Sequence, residues 1–254
     1  MFRPRIIPVL LLKNQGLVKT VQFKNPRYIG DPINAVKLFN DMKADELVFL
    51  DIQAHAENRC ISNEFIKSVG DEARMPFAAG GGITNLNQIE EILKAGAERV
   101  IINSAAVTQK GFIEKAANAF GSSTIAVSLD IKKKFLGKVQ VFIHGGKTST
   151  GLDPVAYAKQ MESQGAGELF VTGIEKEGMM QGYDFELIKG ISKAVSIPVI
   201  ANGGAGNYSD FKKAVDDCFA SAVAAGSRFV YHGARNAVLI NYPSENELKS
   251  IFNS

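Results

Sequence analysis

An internal repeat constrains this chain more than any other feature. The segments Arg5–Lys13 and Thr124–Lys132 read as one strand written twice, with Leu11 and Asp130 in equivalent places, 130 − 11 = 119 positions apart. At nearly the same offset, Glu46-Leu47-Val48-Phe49 is matched by Glu168-Leu169-Phe170-Val171, Gly81-Gly82 by Gly203-Gly204, and Asn103-Ser104 by Gly226-Ser227. A chain built from two equivalent halves either makes one core from the same units used twice or makes two domains. The repeat also exposes an asymmetry. A carboxylate, Asp130, stands at a strand end in the second half, and an isobutyl group, Leu11, stands at its counterpart in the first.

The repeating units are short. Apolar runs near 5–11, 46–52, 76–79, 99–103, 124–130, 168–173, 198–202 and 221–225 are rich in Val, Ile, Leu, Phe and Ala. They lack the polar alternation of a half-exposed strand, so they predict parallel strands buried on both faces. Helical patterns lie between them. Asp31-Pro32 caps and opens the first, with Ile33, Val36 and Phe39 on one face. Thr84-Asn85 starts the third, where Gln88 is placed to close a capping box on Asn85, and Gly96 ends it. Eight such units predict an α/β fold, a (β/α)₈ TIM barrel with two-fold pseudo-symmetric half-barrels. Such barrels typically take about 250 residues, and the chain has 254. No Ser/Pro-rich linker or composition break interrupts it, so residues 1–254 are expected to form one barrel domain.

Composition narrows the function. Hydrophobic residues make up 46% and charged residues 22%, with a net charge of +3. That is an ordinary enzyme composition, and the charge is too small to argue for nucleic acid. Lys132-Lys133-Lys134 reads as a solvated loop. The longest apolar run is too short to span a bilayer, and no small-residue cleavage site follows Arg3 and Arg5, so a cytoplasmic protein with no membrane partner is expected. Cys60 and Cys218 match no metal or disulfide spacing. His55, His144 and His232 are far apart in sequence. No metal site and no cofactor are expected.

Two connections are too long for simple turns. Residues 12–30 carry Lys19, Phe23 and Tyr28. Residues 133–152 contain an alternating stretch, 137–144, followed by Gly145-Gly146, which reads as a small hairpin. Both follow a strand, so both fall on the C-terminal face, where barrel enzymes build their sites, and long loops there commonly act as lids. Gly80-Gly81-Gly82 and Gly203-Gly204-Ala205-Gly206 also follow strands. Such runs let backbone N–H groups approach an anion. With Asn103-Ser104 and Gly226-Ser227 they make two candidate anion cradles, although glycines that only let helices pack on strands would look the same. Their symmetric placement favours a substrate with a phosphate at each end.

Asp130 is the candidate general acid or base, or else a loop tether paired with Lys132. Asp51, at a similar strand end, is a substrate hydroxyl contact or a structural acceptor. Lys19 is a lid cation or an ordinary solvated lysine. At the opposite ends of the strands stand Arg5, Glu46, Arg99 and Glu168, of alternating sign. They form either a salt-bridged plug or a gate for a small neutral molecule moving along the barrel axis.

These residues resemble one family over nearly the whole chain, from Arg5 to about Phe229: the cyclase subunit of imidazole glycerol phosphate synthase, HisF. The distinctive pieces are Asp45-Glu46-Leu47-Val48-Phe49-Leu50-Asp51, Gly80-Gly81-Gly82-Ile83, Ile102-Asn103-Ser104-Ala105-Ala106, Gly165-Ala166-Gly167-Glu168 and Gly203-Gly204-Ala205-Gly206. The resemblance implies a glutaminase subunit, HisH-like, docked on the N-terminal face around Glu98, Arg99, Arg5 and Glu46. It implies an ammonia gate at Arg5, Glu46, Arg99 and Glu168. One phosphate would sit near Gly81, Gly82, Asn103 and Ser104, and the other near Gly203, Gly204, Gly226 and Ser227. Lys19 matches the lysine of the family's mobile first loop.

Three departures qualify this. The family's cyclase uses two catalytic aspartates, and Leu11 stands where one should be. Glu175-Lys176-Glu177-Gly178 replaces an aspartate-bearing turn near the second phosphate. The tail over 228–243 departs from the histidine-pathway pattern. With Leu10-Leu11-Leu12-Lys13 and Gly30-Asp31-Pro32-Ile33-Asn34, that tail looks like a paralogue group found with bacterial surface-polysaccharide genes. This implies a lyase/cyclase-type subunit that delivers ammonia for acetamidino-sugar formation in lipopolysaccharide O-antigen biosynthesis, with a sugar-modifying amidotransferase as a further partner. The alternatives are a true cyclase subunit of histidine biosynthesis and a non-catalytic conduit that activates the glutaminase.

Overall fold

The computed structural model describes residues 3–134, 137–233 and 235–253. One residue of the divergent tail, Ala234, lies outside them. Eight parallel strands close on themselves: β1 (Arg5–Lys13), β2 (Leu47–Asp51), β3 (Phe77–Gly80), β4 (Arg99–Ile102), β5 (Ile125–Lys133), β6 (Glu168–Gly173), β7 (Val199–Asn202) and β8 (Ala222–Ala225). Each pairs with the next, β8 pairs with β1, and β5 pairs with β6 in register Asp130↔Thr172 to join the two halves. This is the (β/α)₈ barrel that the eight apolar runs predict, and every run supplies one strand.

Burial on both faces explains why the runs do not alternate. Inward residues, among them Ile7, Val9, Leu11, Val48, Ile101 and Phe170, pack together inside the barrel. Outward ones, such as Ile6, Leu10, Phe49, Val127 and Leu169, pack under the helices. A fully buried side chain of this size contributes about 1.5–3 kcal/mol. The helices are α1 (Pro32–Asp41), α2 (Asn63–Glu72), α3 (Leu86–Lys94), α4 (Phe112–Phe120), α5 (Pro154–Ser163), α6 (Phe185–Ser192), α7 (Tyr208–Asp216) and α8 (Glu245–Asn253). Side chains cap seven of them: Asp31, Ser62, Asn85, Asp153, Asp184, Asn207 and Ser244 each accept a backbone N–H from the first turn. At α3 the expected box closes differently. Asn85 accepts from Gln88 N at 3.0 Å, but the Gln88 side chain turns back to Thr84 N at 2.7 Å, one residue before the cap.

The first long connection is not a loop. β1 continues to Lys13 and pairs antiparallel with Gly16–Val21, which pairs in turn with Lys24–Gly30. Two tight turns make this possible. Asn14 and Gln15 take φ of 49° and 63°, and Gln22 and Phe23 take 53° and 62°. Positive φ at both central residues is the hairpin geometry normally signalled by Asn-Gly, and neither turn has glycine at a central position. The second connection forms the expected hairpin. β5 runs to Lys133, Val139–Ile143 pairs back along it, and Thr148–Ser149 follows the Gly145-Gly146 turn.

Candidate functional site

The strand C-termini and the two hairpins enclose a cavity of about 720 Å³. Tyr28, Gly80 and Gly206 do not line it, but twelve of the residues singled out from sequence do: Leu11, Lys19, Asp51, Gly81, Gly82, Asn103, Ser104, Asp130, Gly203, Gly204, Gly226 and Ser227. Repeat symmetry brings them together, since residues at equivalent strand ends converge on one axis.

Asp130 is 9% exposed and points inward from β5. Ser128, two residues earlier on the same face of the strand, donates its hydroxyl to Asp130 Oδ1 at 3.0 Å. Burial raises the carboxyl to about 7, with the Ser128 hydrogen bond working against it. No bond to Lys132 ties it down. A carboxyl that titrates near neutral pH can both give and take a proton. Leu11, with Val9, Leu50 and Ile101, supplies apolar wall to the same cavity and offers no proton.

The cradle glycines are held to their identity by backbone geometry and packing. Gly81, Gly82, Gly203 and Gly204 take φ of 128°, 68°, 83° and 118°. A Cβ on Gly81 would meet Asp51 O at 2.7 Å, and one on Gly203 would meet Gly173 O at 3.0 Å. Close packing therefore requires them. The short helices Ser104–Thr108 and Ser227–Val230, which follow Asn103 and Gly226, begin without a side-chain cap, so their first N–H groups lack the partner that caps supply elsewhere. Asn103 is held in place: its side-chain amide donates to Ser128 O at 3.0 Å. The Ser104 hydroxyl accepts from His144 N at 3.1 Å and so ties the β5 hairpin to this cradle.

Asp51 serves as a structural acceptor. One carboxylate oxygen takes Gln53 N at 2.9 Å and Ala54 N at 3.1 Å, and the other takes Arg59 at 2.5 Å. Lys19 is neither loop-borne nor solvated. It lies in the Gly16–Val21 strand, is 6% exposed, and is ion-paired to Glu177. The hairpin turns carry it inward, and burial of its ammonium requires the carboxylate partner.

Sequence reasoning missed Glu177 as that partner; only the altered turn around it was a signal. It also missed the stacking of His55 and His144, whose rings lie 3.9 Å apart and 5° from parallel at the cavity wall. Burial, then the neighbouring His55, lowers the His144 pKa.

At the other end of the barrel the four expected charges meet. Arg5 donates to Glu46 at 2.5 Å and also to Glu168, and Arg99 donates to Glu46 at 2.8 Å and stands 3.8 Å from Glu168. The result is a closed, neutral ring. Burial raises the Glu46 pKa against the pull of Arg5 and Arg99.

Known proteins share this chain's pattern at length. Residues 5–235 match the family model described as Histidine biosynthesis protein. A protein of Leptospira interrogans, provisionally named imidazole glycerol phosphate synthase subunit HisF, is 42% identical over 253 residues, 99% of this chain and 100% of that one. A second provisionally named subunit of the same synthase, from Pseudomonas aeruginosa, is 44% identical over 248 residues, 98% of this chain and 99% of its own. The imidazole glycerol phosphate synthase subunit HisF of Alkaliphilus metalliredigens is 40% identical over 232 residues, 91% of this chain and 92% of its own.

Proposed function

This chain belongs to the histidine biosynthesis protein family, in its HisF branch, and from that membership we propose that it is the ammonia-receiving synthase subunit of a glutamine amidotransferase complex. A HisH-like glutaminase docks on the N-terminal face, around Glu98 and the ring of Arg5, Glu46, Arg99 and Glu168. Ammonia is neutral, so it passes such a ring without separating a net charge from its counterions. It enters the cavity, where Gly81, Gly82, Asn103 and Ser104 seat a phosphate of the acceptor. Gly203, Gly204, Gly226 and Ser227 receive the acceptor's other end. Asp130 handles the proton traffic.

The single observation that carries this reading is an intact two-cradle cavity holding one of two symmetric carboxylates. Cyclisation needs an acid and a base on opposite sides of the substrate. Asp130 near pH 7 supplies one at a time, and Leu11 supplies neither. We therefore propose that the chain serves a reaction other than imidazole ring closure, namely acetamidino-sugar formation for surface polysaccharide, with a separate sugar-modifying amidotransferase. The two cysteines are free, which supports a reducing, cytoplasmic setting. No helix among the described residues is long and apolar enough to cross a membrane.

A second reading, the cyclase subunit of histidine biosynthesis, is favoured by the 40% identity to the Alkaliphilus protein. A non-catalytic conduit needs no cradles. One assay separates these: the purified chain with the histidine-pathway bisphosphate substrate and ammonium salt. Absence of product alongside phosphate binding in the cavity is expected, and rapid turnover selects the second reading.

A further inference from the structure

Lys19 and Glu177 form a buried ion pair in the cavity wall, each 6% exposed. Lys19 comes from the first hairpin and Glu177 from the turn after β6. They meet at the second glycine cradle: a Cβ on Gly226 would stand 2.8 Å from Lys19 Cε. The Glu177 carboxylate is fixed without any ligand. Its second oxygen accepts from Thr20 Oγ1 at 3.1 Å and from Phe23 N at 3.2 Å, and Gln22 N donates to the Glu177 carbonyl at 2.9 Å.

We infer that Glu177 sets the ligand class of this cavity: one phosphate at the first cradle and an uncharged, hydrogen-bonding end at the second. The inference rests on the proposed reading of the first cradle as a phosphate seat. A phosphate is favoured where a cation is available, and Lys19, the cation that faces the cavity at the second cradle while Lys176 and Arg228 do not line it, is already neutralised. A dianion entering there would face Glu177 in a buried, weakly screened setting, where like charges repel strongly. A hydroxyl or amide meets no such repulsion. Ser227 marks what that end should offer. Its hydroxyl is buried, lines the cavity and has no hydrogen-bond partner, which suits one neutral donor or acceptor. The first cradle differs. Lys147, on the hairpin that His144 ties to Ser104, lines the cavity with no ion pair among the described residues.

Glu177→Gln is the direct test, because the amide keeps the shape and can still accept from Thr20 and Phe23. Calorimetric titration of the full chain with inorganic phosphate, with sites located in phosphate-soaked crystals, should find one site in the wild type, at the first cradle. The variant should bind two, with second-cradle affinity at least about tenfold stronger, the scale of one recovered charge-assisted contact. Two sites in the wild type, or one in both proteins, overturns the role of Glu177. Phosphate at the first cradle of neither protein removes the underlying phosphate-seat reading instead. A measurement on the wild type alone guards against a variant that does not fold. Fructose 1,6-bisphosphate should bind no more than about twofold tighter than fructose 6-phosphate, and a preference of about tenfold or more overturns the proposal.

Discussion

Leu11 and Asp130 stand near the C-terminal ends of equivalent strands, β1 and β5, and their side chains line one cavity from opposite halves of the barrel. The chemistry expected of the protein follows from that mismatch of isobutyl and carboxyl.

With ammonium salt and the bisphosphate substrate of imidazole glycerol phosphate synthase, the unmodified chain should turn over far below the roughly 1 per second of ordinary metabolic enzymes. Loss of one acid–base group costs about 10²–10⁴ in rate. Steady-state kinetics check this, with Leu11→Asp as the first change to try for gain of activity. Turnover near 1 per second by the unmodified chain would assign it to histidine synthesis.

Asp130 should make stability fall as pH rises. Its folded pKa of about 7 lies above the ordinary 3.8, so between those values the folded chain holds a proton that the unfolded chain has lost. Stabilisation is fully present below about pH 4 and is lost on passing through pH 7, with an upper bound of about 4 kcal/mol. Asp130→Asn should flatten that part of the pH profile in chemical denaturation. An unchanged slope would mean that the carboxyl titrates in its ordinary range.

Glu46 joins both arginines of the ring and is 2% exposed. Glu46→Ala leaves two guanidinium groups facing each other with half their counter-charge gone. A loss of about 3–5 kcal/mol is expected, read from denaturant midpoints. A loss under about 1 kcal/mol would mean that the ring contributes little to stability.

Glu98 is exposed just before β4, beside that ring. Glu98→Lys should weaken co-purification with a HisH-like glutaminase, by at least about tenfold in Kd if the contact is central. Lys147→Glu, on the opposite face, should leave it unchanged. The reverse pattern would place the partner on the wrong face.

The strands were legible because burial on both faces leaves a distinct mark, an apolar run with no alternation. The meeting of residues as distant as Gly81 and Gly203 was legible because the repeat fixes strand ends around one axis. The first hairpin was not, because Asn14-Gln15 and Gln22-Phe23 adopt turn geometry without the glycine that normally announces it. Lys19 was misplaced for that reason, and its partner Glu177 with it. The pair forms between two loops of different halves, and no local pattern encodes such a contact. Ser128 beside Asp130 was open to inference, since residues two apart on a strand share a face.

The glycines of the mouth have a historical consequence. A Cβ on Gly82 would overlap the carbonyl oxygen of Arg59, and one on Gly204 would overlap that of Gly182. A descendant that had abandoned its ancestral ligand would therefore still be unable to replace them, because the loops they pack against would have no room to close. The side chains at the equivalent positions of β1 and β5, Leu11 and Asp130, carry no such obligation and are free to change with the reaction. Glycines and acids in this barrel are thus inherited under separate constraints. The first record the shape of the vessel, and the second record what is made in it.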